Sequence, residues 1–168
     1  MPDTPENQRS FPQANTQKTG LGFPVMRYVA LISLATGVVR DLALGPYKGK
    51  ETGETALFRT LLDGLERGEI VLGDRCFASY FMIAELLLRG VDGLFRMHQR
   101  RKFDFRRGRV LGFEDHVVTW AKPERPEWMD EETYAQIPNT MEIRELRFKV
   151  QQRAKQSPLA RLLPLVGA

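Results

Sequence analysis

Cysteine is almost missing from this chain. Cys76 is the single one among 168 residues, which excludes an intramolecular disulfide framework and any zinc site built from several thiolates. Histidine is nearly as scarce, with only His98 and His116, so a histidine-rich metal cluster is excluded too. No stretch approaches the roughly 18 consecutive apolar residues of a spanning helix, and the opening MPDTPENQRS has neither the basic stretch nor the apolar core of a secretory leader. These absences together predict a protein of a reducing compartment, cytoplasmic and without a membrane partner.

What is present suffices for one ordinary domain, with or without an appendage: 42% of the residues are hydrophobic, enough for a packed core. Lys and Arg number 25 against 21 Asp and Glu, a formal charge of +4. That modest basic excess favours polyanionic partners, and its distribution says more than its size.

In chain order, residues 1–23 combine Pro2, Pro5, Pro12 and Gly20 with polar residues and predict an irregular, extended segment. From Pro24 to Leu44 two apolar, β-branched runs flank Ala35-Thr36-Gly37, a hairpin signal. Lys48 and Lys50 follow in a glycine-rich loop without a Walker pattern, so a nucleotide-binding P-loop is excluded. A helix starting near Thr52 or Gly53 carries the apolar stripe Leu57, Leu61 and Leu65 and stops at Gly68. Ile70-Val71-Leu72 has no polar alternation and predicts a strand buried on both faces. A largely buried helix follows from about Phe77 to Arg89, stopped by Gly90, and Val91 to Met97 supplies a parallel strand. Further strands are predicted at Val117 to Trp120 and over Met141 to Val150, where Ile143, Leu146, Phe148 and Val150 alternate with charged residues. Lys122 to Pro138 predicts a surface connection with at most one helical turn, and the tail from Gln151 predicts no folded element.

Two features carry chemistry. Asp74 follows the Ile70 strand at its carboxyl end, where open α/β sheets collect ligands and metals; the plain alternative is a helix cap or half of an ion pair with Arg75. Arg75 itself can pair with Asp74 or contact a phosphate. The second feature is the run RMHQRRKFDFRRGR, in which Arg96, Arg100, Arg101, Lys102, Arg106, Arg107 and Arg109 face one acid, Asp104, with Phe103 and Phe105 interleaved. Most charge runs are solvated faces. A run this one-sided also supplies what a phosphate-tracking surface needs: cations that displace counterions and rings that stack or anchor. Trp120 and Trp128 are assigned to packing.

The blocks MPDTPENQRSFPQ, KTGLGFPVMRYVALISLATGVVRDLALGPYKGKETGE, LGDRCFASYF and RMHQRRKFDFRRGRVLG, in that order, resemble bacterial insertion-sequence transposases of the DDE type, in the large family named after insertion sequence four. About residues 1–148 are covered. The resemblance implies an α/β fold with a ribonuclease-H-like catalytic core and a β-rich insertion, divided as 1–97 for a partial core, 98–150 for the basic insertion region and 151–168 for a tail that does not match. It implies DNA as partner, both element ends and target, with self-association on DNA and a nucleoid-associated location. It also implies two Mg²⁺ ions held by carboxylates, which activate the attacking oxygen and stabilise the leaving one. In that scheme Asp74 matches the second catalytic aspartate and is the metal ligand, while Arg75, Arg96, Arg100, Arg101, Lys102, Arg106 and Arg107 are the DNA-contacting candidates.

The sequence departs from the family pattern in two places. No Asp-Gly-Thr motif precedes the first block, and Asp3 belongs to that block rather than to the motif. The Tyr-x2-Arg-x3-Glu-x6-Lys helix is also missing, since Tyr134 is followed three residues later by Ile137. The expectation is a transposase fragment truncated at both ends, with one of three catalytic carboxylates and no strand transfer of its own. Without the family's central first strand its neighbours would leave backbone groups unpaired, each costing on the order of 1–3 kcal/mol, and a marginally stable product is expected. The alternatives are a non-catalytic DNA-binding module and an inert product of an interrupted reading frame.

Overall fold

A left-handed glycine, Gly37 at φ +70°, turns the chain between β1 (Met26–Ile32) and β2 (Val39–Pro46), which pair antiparallel as a two-stranded sheet. The computed structural model describes residues 1–98, 100–150 and 157–164 and divides the chain into two compact units, Met1–Gly64 and Leu65–Ala168.

In the first unit the hairpin buries Ala43 against Leu57 and Leu61, with Val29 and Leu31 packed beside them. The helix that supplies Leu57, α2 (Glu54–Arg59), is shorter than its stripe predicts, and Leu61 follows its end. The Thr60 hydroxyl donates to the Leu57 carbonyl at 2.7 Å, a local bond that competes with helix propagation, and a single 3₁₀ turn, Leu62–Gly64, follows. The segment expected to be irregular contains a one-and-a-half-turn helix, α1 (Pro5–Ser10). Its signals were short but specific: Thr4 caps the Asn7 N–H and Pro5 sits in the first turn.

The second unit holds a six-stranded sheet. Here β3 (Ile70–Gly73) is parallel to β4 (Asp92–Arg96), and α3 (Tyr80–Leu88) connects them. Helix α3 starts three residues later than predicted because a 3₁₀ turn, Arg75–Phe77, intervenes and Ser79 caps the Met82 N–H. Tyr80 to Ala84 and Leu86 are all buried, as the absence of a polar face predicts. Strand β3 is not buried on both faces: it is an edge strand, with Ile70 62% and Leu72 52% exposed. Gly73 lies on the other face, where a Cβ would come within 2.7 Å of the Phe95 ring.

The remaining strands are antiparallel: β5 (Arg109–Gly112), β6 (Asp115–Ala121), β7 (Thr140–Val150) and β8 (Ser157–Pro164), in the sheet order β3-β4-β8-β7-β6-β5. A six-residue helix, α4 (Glu131–Gln136), capped by Asp130, lies in the acidic connection before β7. Strand β8 corrects the expectation for the tail, because it pairs with both β4 and β7. Its prolines, Pro158 and Pro164, fall near its ends, where a missing donor interrupts the ladder least. The rest of the tail, 151–156 and 165–168, lies outside the described residues. The architecture is mixed α/β, and residues on both sides of position 97/98 share the one sheet.

Candidate nucleic-acid interface

The register of the parallel pair ends at Gly73 opposite Phe95, so Asp74 leaves the sheet at its carboxyl end, while Arg96 is the last residue of β4 and is still paired with β8. Asp74 begins the 3₁₀ turn without a side-chain cap bond. Its side chain is 64% exposed, and Arg75 Nε lies 3.9 Å from Oδ1, a loose surface ion pair. Among the described residues no group of three or more His, Cys, Asp or Glu side chains could hold a metal ion. A single exposed carboxylate beside a guanidinium does not fit a two-magnesium site, whose cations need several oxygen ligands each.

Arg96 leads into the basic run. Arg100, Lys102, Arg106 and Arg107 are all exposed, and Arg106 and Arg107 keep 90% and 83% of their side-chain surface. Asp104 organises two of them. It accepts from Arg106 Nε at 2.8 Å and Nη2 at 3.2 Å and lies 3.4 Å from Arg107 Nε. The hydrogen bonds from Arg106 hold the Asp104 carboxyl at about 2, well below its ordinary value. Arg101 is placed differently, with its guanidinium 3.4 Å from the centroid of the Trp120 ring. Burial there lowers its pKa, nearby Glu145 acts in the opposite sense, and it stays charged.

Between these cations Phe103 and Phe105 stack at 5.3 Å with an 11° tilt, and Phe105 packs 4.8 Å from the His116 ring. The Arg147 guanidinium covers both phenyl rings at 5.4 and 5.2 Å and is tied to Glu114 at 2.8 Å. The aromatics therefore anchor the loop to β6 and β7, leaving the polar tips of the arginines in solvent.

Beneath the loop lies a buried polar group that the sequence reading missed. His116 and Glu145 are paired across β6 and β7 and are 1% and 4% exposed. Glu145 Oε2 lies 3.1 Å from His116 Nε2, Glu145 Oε1 accepts the Trp120 indole N–H at 3.1 Å, and His116 Nδ1 lies 2.7 Å from the Arg107 carbonyl oxygen. Trp120 is a packing residue, as expected, with its N–H satisfied inside. Among the described side chains of β7, which exclude Val150, the buried positions are Met141, Ile143 and Glu145, one residue out of phase with Leu146 and Phe148, which are only half-buried. The signal that could have found the cluster was a carboxylate on the same parity as two apolar residues.

Alongside, Asp115 accepts from Arg144 Nε and Nη2 at 2.9 and 2.6 Å, and those hydrogen bonds lower the Asp115 pKa. No helix among the described residues is long and apolar enough to cross a membrane.

No family model and no solved structure matches the chain. Over 92 residues it is 32% identical to a protein of Escherichia coli (strain K12) described as "Putative transposase InsZ", an alignment covering 54% of this chain and 30% of that protein. The chain therefore spans 30% of the length of the curated relative it matches, and over that stretch its sequence is transposase-like.

Proposed function

We propose that the chain has a transposition-related function and engages DNA, with the loop from Arg96 to Arg109 lying along the phosphate backbone. The observation that supports this best is the grouping of exposed Arg100, Lys102, Arg106 and Arg107 on one short loop whose aromatics are turned inward. Cations on a fixed element gain affinity by releasing condensed counterions from the duplex. The likeness to a stretch of a transposase supports the same reading from sequence.

In this reading the β1–β2 hairpin, α2 and the parallel β3–β4 pair correspond to part of a ribonuclease-H-like core, and β5 to β7 to its insertion. Recognition of insertion-sequence ends, self-association on DNA and nucleoid association belong to the same proposal. Asp74 is the candidate for the second acid of a DDE set, but no step is routed through magnesium, because the residues around it do not fit the ions. Binding without cleavage is the activity proposed for the chain by itself.

The test is retention of a linear duplex by the full chain at low salt, compared with Arg100→Glu and Arg106→Glu variants. Retention by the parent and loss in the variants are expected. Equal retention by all three contradicts the assignment of the loop. Magnesium-dependent nicking that disappears in Asp74→Ala contradicts the non-cleaving activity.

A further inference from the structure

The His116–Glu145 pair has a hydrogen-bond arithmetic that fixes its role. Both ring nitrogens of His116 face oxygens: Nδ1 the Arg107 carbonyl at 2.7 Å and Nε2 the Glu145 carboxyl at 3.1 Å. A carbonyl oxygen has no proton to give, so Nδ1 donates. The other Glu145 carboxyl oxygen is occupied by the Trp120 N–H.

Three points of the basic loop attach to this cluster. The Arg107 carbonyl is held by His116, the Phe105 ring packs on the imidazole, and the Arg101 guanidinium lies on the Trp120 indole. Among the described side chains, the charged groups near the pair include Arg101 from the loop, Asp115 on β6, Arg144 on β7, and the ion pair of Glu114, at the β5–β6 turn, with Arg147 on β7. None of them replaces the hydrogen bonds that the pair makes.

We propose that Glu145 is a positioning residue for DNA binding: through its contacts with the His116 ring and the Trp120 N–H, it clamps residues 100–108 so that Arg100, Lys102, Arg106 and Arg107 meet phosphates as a preformed array. This rests on the reading that the loop binds DNA. Preformation matters because a free loop must lose the conformational freedom of several long side chains on binding, whereas a clamped one has already lost much of its backbone freedom.

The experiment compares the full chain with Glu145→Gln, Glu145→Leu and Phe105→Ala. Glutamine keeps an oxygen for Trp120 and offers an N–H to a neutral His116, so the clamp survives. Leucine removes both bonds, and Phe105→Ala removes the ring that packs on His116 while leaving the Glu145 contacts in place. Amide hydrogen exchange is read first and needs no DNA. In Glu145→Leu and Phe105→Ala, exchange accelerates within 100–108 while β6 and β7 keep their protection; in Glu145→Gln it stays slow. Duplex affinity then falls about tenfold in the first two variants and stays within about twofold of the parent in the third.

Exchange rising uniformly across β6 and β7 in Glu145→Leu, or loop exchange unchanged in Phe105→Ala, overturns the clamp. If Glu145→Leu does not fold, Phe105→Ala and Glu145→Gln decide alone. A parent chain that does not retain DNA defeats the DNA reading, and the exchange data still judge the clamp.

Discussion

Asp104 accepts two hydrogen bonds from Arg106, at 2.8 and 3.2 Å, and stands 3.4 Å from Arg107 Nε, so the one acid of the basic run restrains two of its most exposed cations. It also neutralises part of the charge that the run offers to a polyanion. Asp104→Asn is expected to raise duplex affinity several-fold at low salt and to steepen the salt dependence by about one unit of slope, the change for roughly one more phosphate neutralised. Titration with duplex at several salt concentrations measures both. Because its folded pKa of about 2 lies below the unfolded value of 3.8, its contribution is present above about pH 4 and is lost as pH falls through about 2. Between pH 5 and 8 this group gives no pH dependence.

Gly108 is expected to tolerate no side chain. Its φ is +73°, and a Cβ would come within 2.1 Å of the Val117 carbonyl oxygen, a backbone atom of the neighbouring strand. Gly108→Ala combines the left-handed backbone penalty with overpacking and is expected to cost about 2–4 kcal/mol. Urea unfolding of parent and variant measures it.

The Asp115–Arg144 pair spans β6 and β7 with two hydrogen bonds. Those bonds depress the Asp115 pKa, so its stabilisation is present above the ordinary carboxylate range near 3.9 and is lost as pH falls below it. With both side chains partly solvated, Asp115→Asn is expected to lower stability by about 1 kcal/mol at pH 7. The difference between variant and parent shrinks toward acid, which denaturant titrations at pH 7 and pH 3 check.

Asp74→Ala is expected to leave stability within about 0.5 kcal/mol of the parent. The carboxylate is exposed, caps nothing and meets Arg75 only at 3.9 Å. Adding magnesium at millimolar concentration is expected to leave the melting temperature of both proteins unchanged, because a cation held by the folded chain would raise it by mass action. A magnesium-dependent rise in the parent that Asp74→Ala abolishes contradicts this.

Much of the scaffold was legible because local chemistry and final structure agree. Gly37 and Gly90 have the positive φ that their places after apolar runs suggest, and the helix between two short strands brought β3 and β4 parallel. What was not legible depends on distant partners. The run Ile70-Val71-Leu72 reads as a fully buried strand, yet its exposure follows from standing at the sheet edge, which no local pattern encodes. Strand β8 is defined by pairing with β4 and β7 rather than by its own period. The basic run was visible as charge. The seating of Arg101, itself exposed, on the Trp120 ring was not, because that depends on the register that sets His116 opposite Glu145.

The most direct test of the account is the slope of log affinity against log salt for a duplex and the unmodified chain. If the loop engages three to five phosphates, the slope is about −3 to −4.5, and replacing Arg100, Lys102 and Arg106 together by glutamate brings it close to zero. A slope near zero in the unmodified chain, or one that the triple replacement leaves unchanged, contradicts a DNA-binding loop.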